Sequence, residues 1–199
     1  MLSVDSVTFE RYFEPVFEPA SFSLAAGELL LIKGANGSGK TTLLRVLAGL
    51  LQPSGGAVLP PNDRAIVYVG HSLALKESLT VMENLLFFIR FFGGDGAPAA
   101  DALIQRLDLG RVVHQQARTL SAGQRKRCAL ARLLIQPNAL WLLDEPYSNL
   151  DVDGIDLVNQ LLKEHLDRTG MAIVASHGQL LPDGLDYQSL TIQTGRSAA

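Results

Sequence analysis

Cys128 is the only cysteine in 199 residues. An internal disulfide is therefore impossible, which excludes a disulfide-stapled fold and fits a reducing cytosolic compartment. Long apolar runs are scarce as well. The longest candidate, "VMENLLFFIRFFGG", is broken by Glu83 and Arg90, and it falls short of the roughly 18 apolar residues that suggest a membrane span. The opening "MLSVDSVTFERYF" lacks the basic, then apolar, then small-residue order of a signal peptide. If the protein acts at a membrane, another chain crosses it. An excess of one charge sign is missing too: 17 Lys and Arg face 20 Asp and Glu, for a net charge of −3. No basic block provides the footprint of a nucleic-acid-binding protein. Internal repeats and low-complexity tracts are absent, and the closing "TGRSAA" reads as a frayed tail.

The length suffices for one compact domain, or one domain carrying a subdomain, with a substantial core. Short apolar runs alternate with helical patterns, which predicts an α/β fold on a mainly parallel, covered sheet. Strands are expected at residues 2–9, 22–24, 29–32, 65–69, 140–143, 172–175 and 189–192, with an antiparallel portion near the N-terminus. Their leucine and β-branched content without strict alternation suits burial on both faces. Residues 76–136 contain no convincing strand and read as three helices, at 80–92, 99–107 and 122–135. This inserted block looks like a helical subdomain (about 76–136) in a core made of about 1–75 and 137–199.

Residues 29–42 read "LLLIKGANGSGKTT", an apolar strand running into a glycine-rich turn. Gly34, Gly37 and Gly39 allow φ > 0 and close approach to a ligand, and successive N–H groups there form an anion-binding nest. Beyond them Leu43, Leu44, Val46, Leu47, Leu50 and Leu51 have helical spacing up to Pro53, so the nest sits at a helix N-terminus. Residues 34–41 match G-x-x-x-x-G-K-[ST], the phosphate-binding P-loop, in its strand–loop–helix setting. The expected binding residues are Gly34, Ala35, Asn36, Gly37, Ser38, Gly39, Lys40, Thr41 and Thr42. Lys40 is expected to reach the β- and γ-phosphates and the Thr41 hydroxyl to ligate Mg²⁺. The pattern indicates a nucleoside triphosphate.

A P-loop alone is compatible with kinases, GTPases and many ATPases. "ALWLLDEP" narrows the choice. An apolar strand ending in Asp144 delivers a carboxylate to the sheet edge, where it holds Mg²⁺ directly or through water. Glu145, beside it, is placed to act as general base for water. In "TLSAGQRKRCALARLLI", Ser121 caps a helix and Gly123 permits close backbone approach. That makes a second phosphate-binding surface. One nucleotide does not need two such surfaces from one chain, and a twofold dimer in which each chain covers the other's ATP accommodates both. The same segment also reads as an ordinary capped helix that packs Ala129, Leu130, Leu133 and Leu134 inward; the two readings are compatible.

In their order, "GANGSGKTT", "LSAGQ", "LWLLDEP", "SNLD" and "ASH" resemble the ATPase domains of ABC transporters over nearly the whole chain. The resemblance implies a P-loop ABC-type cassette that uses ATP and Mg²⁺, with Walker A over residues 34–42. It implies a signature acting in trans through Ser121, Ala122, Gly123 and Gln124, and a Walker B Asp144 followed by a catalytic Glu145. It further implies a D-loop at 148–151 that includes Asp151, and a switch histidine, His177, contacting the γ-phosphate. Lys40, Glu145 and His177 are the catalytic candidates; Thr41 and Asp144 are the metal ligands. There are departures. Ala122 stands where glycine is usual and Asn149 where alanine is common. His71 occupies the place of a glutamine that senses Mg²⁺ and faces the membrane subunit. Tyr12 is the nearest candidate for the residue that stacks on adenine, with Arg11 and Phe13 as alternatives.

"VGH" in place of the glutamine, the basic residues after "LSAGQ", and "LDEP" with "LDVDG" resemble one branch, the ATP-binding subunits of the haem exporter in bacterial cytochrome c maturation. That branch implies a homodimer of ATP-binding subunits with the membrane partners CcmB, CcmC and CcmD. It also implies a peripheral position on the cytoplasmic side of the inner membrane, and ATP hydrolysis linked to haem delivery and release of a haem-loaded chaperone. Direct haem ligation is not expected: "CxxCH" is absent, and His114 and His165 stand in polar surroundings without partners at metal-ligand spacing. The alternatives are the ATPase of another small ABC exporter and, from a different class, a soluble ABC regulatory protein. Cys128 reads as packed or partly exposed and not as a nucleophile, and Trp141 as strand core. "LLFFIRFF" reads as subdomain core on one face and as a membrane-partner surface on another.

Overall fold

The computed structural model describes residues 1–61, 65–93, 98–136, 139–176 and 182–195. The chain begins with β1 (Leu2–Thr8), a short arm of β2 (Glu10–Arg11) and β3 (Glu14–Pro15), then β4 (Ala20–Leu24) and β5 (Leu29–Lys33). Next come α1 (Lys40–Leu47), β6 (Gly55–Leu59) and β7 (Ile66–Val69). A helical stretch follows, with α2 (Val81–Phe92), α3 (Ala100–Arg106) and α4 (Ala122–Ile135). The chain returns to the sheet through β8 (Leu140–Asp144), α5 (Val152–Asp167), β9 (Met171–Ala175) and β10 (Gln188–Thr191).

Five strands form a parallel sheet in the order β10-β5-β9-β8-β7. β8 and β9 are buried along their whole length, which is why "LWLLD" and "MAIVA" are apolar without alternation. The two-residue period of the strands splits their side chains between two cores. Leu29, Leu31, Trp141, Leu143, Ala172 and Val174 face α2, α3, α4 and α5. Leu30, Ile32, Leu140, Leu142, Ile173 and Ala175 face α1 and a second, antiparallel sheet ordered β4-β1-β6. The expected architecture is therefore present, parallel sheet, antiparallel portion and helical stretch alike. Among the described residues, no helix is long and apolar enough to cross a membrane.

Local chemistry sets the element ends. Thr80 caps α2 in a reciprocal box: its hydroxyl accepts from the Glu83 N–H at 3.2 Å, and Glu83 Oε2 accepts from the Thr80 N–H at 2.8 Å. Asn84 is fully buried yet satisfied, accepting from the Lys76 N–H and donating to the carbonyls of Lys76, Leu79 and Thr80. Arg132 of α4 donates to the Leu73 carbonyl at 3.1 Å and lies 5.5 Å from the Phe88 ring centroid. The loop after β7 is thus tied to α2 and α4 from both ends.

Five expectations need correction. α1 ends at Leu47 and does not run on to Pro53, because Gly49 turns left-handed (φ 71°). The Gly49 and Leu50 N–H groups then close on the carbonyls of Val46 and Arg45. β6 was not expected, since "GGAVL" opens on two glycines and stays mostly exposed beside β1. α5 was not expected either, although Leu157, Val158, Leu161 and Leu162 recur at helical spacing on its buried face. His165 is not in polar surroundings but buried, its ring stacked on Trp141 with centroids 3.7 Å apart. The closing segment starts ordered: Thr194 bridges to Phe17 and the Gly195 N–H donates to Val16; residues 196–199 lie outside the described residues.

A Cβ at Gly49 would meet no neighbour within 4 Å among the described residues, so Gly49→Ala isolates the backbone term. It should lower stability by about 1–2 kcal/mol, read as a lower urea midpoint at unchanged slope. An unchanged midpoint would mean that the turn does not need the left-handed conformation.

Candidate functional site

The carboxyl edge of the parallel sheet collects the chemistry. Ile32, Ala175 and Asp144 are in register across β5, β9 and β8, so the P-loop leaves the sheet beside the end of the Asp144 strand. Gly34 has φ 155°, and a Cβ there would lie 2.5 Å from both the Ile192 carbonyl oxygen and Ser38 Oγ; no other residue fits. Ala35, Asn36 and Gly37 are exposed at the loop crest, while Ser38 is buried with its hydroxyl unpartnered among the described residues. Gly39 (φ 101°) opens α1 without a side-chain cap, which leaves the N–H groups of Lys40, Thr41 and Thr42 at a helix start suited to an anion. Lys40 is buried, and its ammonium donates to the carbonyls of Gly34 and Ala35 at 2.8 and 2.9 Å. A cation is thereby held across the loop.

Thr41 Oγ1 donates to Asp144 Oδ2 at 2.8 Å. The Tyr68 hydroxyl lies 3.4 Å from the same oxygen. Burial, and then the Asp144 charge, push the Tyr68 phenol above its ordinary pKa, with Arg45 opposing. Asp144 is 2 % exposed, so a hydroxyl and a carboxylate oxygen sit together in a nearly dry corner. Those donors fit Mg²⁺, which takes hard oxygens and needs only one or two from the protein beside phosphates and water. Glu145 follows in a left-handed backbone conformation (φ 51°). Its N–H donates to the Ala175 carbonyl at 2.9 Å, and its carbonyl accepts from Lys126 Nζ at 2.8 Å and Ser148 Oγ at 2.9 Å.

The second phosphate-binding candidate stands apart. Ser121 caps α4, accepting from the Gln124 N–H at 3.2 Å, and Gln124 Oε1 accepts from the Ser121 N–H at 3.0 Å. Ala122 is the first residue of α4 and exposed. At Gly123 a Cβ would sit 3.0 Å from the Asn149 carbonyl. Asn149 has φ 62°, a conformation that asparagine adopts more readily than alanine. Asp151 caps α5 through the Gly154 N–H at 2.9 Å and accepts from Arg127 at 2.9 Å; the Arg127 guanidinium foremost lowers its pKa. Residues 121–124, Arg127, Asn149 and Asp151 line one cavity of about 630 Å³ that includes no P-loop residue among those described.

His71 is exposed and lines a neighbouring cleft of about 430 Å³ together with Lys126, Ser148 and Asn149. Tyr12 and Phe13 form the tip between β2 and β3, 90 % and 96 % exposed and both at positive φ (56° and 66°). The base of that arm meets the P-loop, since a Cβ at Gly39 would touch Phe17 and Val16. His177 lies outside the described residues. The residues that sequence reading missed are Tyr68, Lys126 and Arg127. Lys126 carried a signal: it falls on the apolar stripe of Ala129, Leu130 and Leu133, where a charge is out of place.

The family model described as "ABC transporter" matches residues 17–148. The chain is 42 % identical over 201 residues to the cytochrome c biogenesis ATP-binding export protein CcmA of Xanthomonas campestris pv. campestris, covering 97 % of this chain and 94 % of that one. It is 42 % identical over 192 residues to the protein of the same name from Ruegeria pomeroyi, with 96 % and 90 % covered. A solved dimeric ATP-binding cassette in a post-hydrolysis state with ADP and Pi superposes with a TM-score of 0.75, at 26 % identity, over 89 % of this chain and 88 % of that one.

Cys128 is the packed thiol of the two alternatives. It is fully buried, and burial pushes its pKa up to about 12, against a smaller opposing effect of Arg132. At pH 8 the native chain should therefore resist thiol-specific labelling, and one equivalent should react on unfolding in guanidinium. Fast stoichiometric labelling of the native chain would contradict this burial.

Proposed function

This chain belongs to the ABC transporter family, and we propose that it is the ATP-hydrolysing subunit of a membrane export complex of the cytochrome c biogenesis type. The observation that carries the proposal is the Thr41–Asp144 hydrogen bond at 2.8 Å, which joins the phosphate loop to the strand that ends in the Asp144–Glu145 pair. ATP binds with its phosphates over residues 34–42, where N–H groups at the start of α1 and the Lys40 ammonium offset their charge. Lys40 exchanges its loop carbonyls for phosphate oxygens. Thr41 and Asp144 would hold Mg²⁺, which would supply positive charge to offset that of the phosphates. Glu145 accepts the proton of the attacking water, and His177 contacts the γ-phosphate. Tyr12, exposed at the tip of its arm, stacks on the adenine.

Ser121, Ala122, Gly123 and Gln124 serve the ATP of a second copy. Their cavity contains no P-loop residue among those described, which supports a twofold homodimer with sites shared between chains. The core comprises about 1–75 and 137–199, and α2, α3 and α4 make up the helical subdomain of about 76–136 that meets the integral membrane subunits. These partners correspond to CcmB, CcmC and CcmD, and the chain lies on the cytoplasmic side of the inner membrane. Hydrolysis is coupled there to haem delivery or to release of a haem-loaded chaperone. His71, at the rim of the cleft beside Lys126 and Ser148, takes the glutamine's place in linking the site to those partners.

Glu145→Gln should retain ATP binding and slow hydrolysis by roughly two or more decades, trapping an ATP-bound dimer; near-normal turnover would remove Glu145 from this role. For His71, replacement by glutamine should keep most of the ATPase activity, while His71→Ala should weaken stimulation by the membrane subunits more than ATP affinity. Unchanged partner-stimulated turnover and cytochrome c production in His71→Ala cells would make His71 a structural residue only.

A further inference from the structure

Glu145 occupies a conformation that its side chain disfavours. A non-glycine residue in the left-handed region costs of the order of 1–2 kcal/mol, and it persists only where the surroundings over-determine it. Here the carbonyl of Glu145 receives three donors: Lys126 Nζ at 2.8 Å, Ser148 Oγ at 2.9 Å and the Ser148 N–H at 3.2 Å. Two of the three come from the same loop. Lys126 alone reaches in from another element, and its ammonium also lies 3.4 Å from Ser148 Oγ.

The lysine is costly where it stands. It is 4 % exposed, on the stripe of α4 that otherwise carries Ala129, Leu130 and Leu133, and burying an ammonium there carries a cost that the nearby Asp144 and Glu145 charges offset only in part. Methionine would fill the same stem volume without that penalty. The next residue, Arg127, bonds Asp151 at 2.9 Å. Two consecutive side chains of α4 therefore hold the two ends of the loop from Glu145 to Asp151. A buried cation whose hydrogen bond ends on the carbonyl of a strained residue has a geometric task.

We propose that Lys126 is the positioning residue for Glu145: by gripping the Glu145 carbonyl it fixes the left-handed turn that aims the carboxylate, and so ties α4 to the reaction centre of the same chain. In this role Lys126 acts through Glu145 and not on ATP. This inference rests on the assignment of Glu145 as general base.

The test is a double-mutant cycle on the full chain, read by ATP turnover together with affinity for a non-hydrolysable ATP analogue. Lys126→Met should lower kcat by roughly ten- to hundred-fold, the range expected when a reacting group is misplaced by about 1 Å, and leave KM and analogue affinity within about threefold of the parent. Lys126→Arg, which keeps N–H donors at the end of the stem, should recover most of the loss. In a Glu145→Gln chain, adding Lys126→Met should cost no further activity, because the group it positions is already disabled. A Lys126→Met chain with kcat within about twofold of the parent, or an equal fractional loss in both backgrounds, would overturn the proposal. Loss of analogue binding in Lys126→Met would assign the lysine to the fold and overturn it as well. If Glu145→Gln alone turns over normally, the assignment of Glu145 fails first, and that outcome is distinguishable from an inactive Glu145→Gln beside an active Lys126→Met.

Discussion

Thr41 and Asp144 stand 103 positions apart in the chain and 2.8 Å apart in the fold. That contact depends on the register of three parallel strands, in which Ile32, Ala175 and Asp144 end at the same level. A slip of one residue in any of them would turn the alternating core contacts to the wrong face. The two apolar cores that clamp the sheet thus fix the distance between phosphate loop and carboxylate. The P-loop, Asp144 and Glu145 lie at that edge, where loops leave the sheet and bring side chains that a covered interior excludes.

α4 connects this edge to the rest of the chain. Its first turn carries the capping box of Ser121 and Gln124, its second the two cations that hold the loop from Glu145 to Asp151. Its last turns pack into the core, where Arg132 bonds the Leu73 carbonyl in the loop that begins at His71. Burial lowers the pKa of both Lys126 and Arg132, a cost that an apolar helix would avoid. The helix accepts it because each cation ends on a backbone carbonyl of a loop at the site. In those loops charge-assisted hydrogen bonds act beside the apolar packing of Leu75, Tyr147 and Leu150.

The parts legible in the sequence were those whose chemistry is local. The P-loop glycines, the strand ending in Asp144 and the cap at Ser121 each declare themselves within about ten residues. The buried strands declared themselves by composition. What escaped depends on partners remote in sequence. β6 is a strand only because β1 lies beside it. The stop of α1 at Gly49 competed with a more visible proline four residues on. His165 became a core residue by stacking on Trp141. Lys126 was readable only as a charge in the wrong phase of a helix, and its partner, a carbonyl, leaves no trace in the sequence. Asn149 departs from the family pattern, and its left-handed backbone gives that departure a physical reason that the sequence did not show.

The central claim is that each reaction centre is built from two copies, P-loop from one and Ser121 from the other. It is tested most directly by mixing a chain carrying Lys40→Ala with a chain carrying Ser121→Arg and assaying purified heterodimers for ATP hydrolysis. Each mutant alone is inactive under this account. In the mixed dimer both defects fall on one site, the other retains an intact P-loop and an intact Ser121, and a substantial part of the activity returns. Heterodimers that stay as inactive as either parent would contradict the shared site, and full activity of Ser121→Arg alone would show that Ser121 takes no part in it.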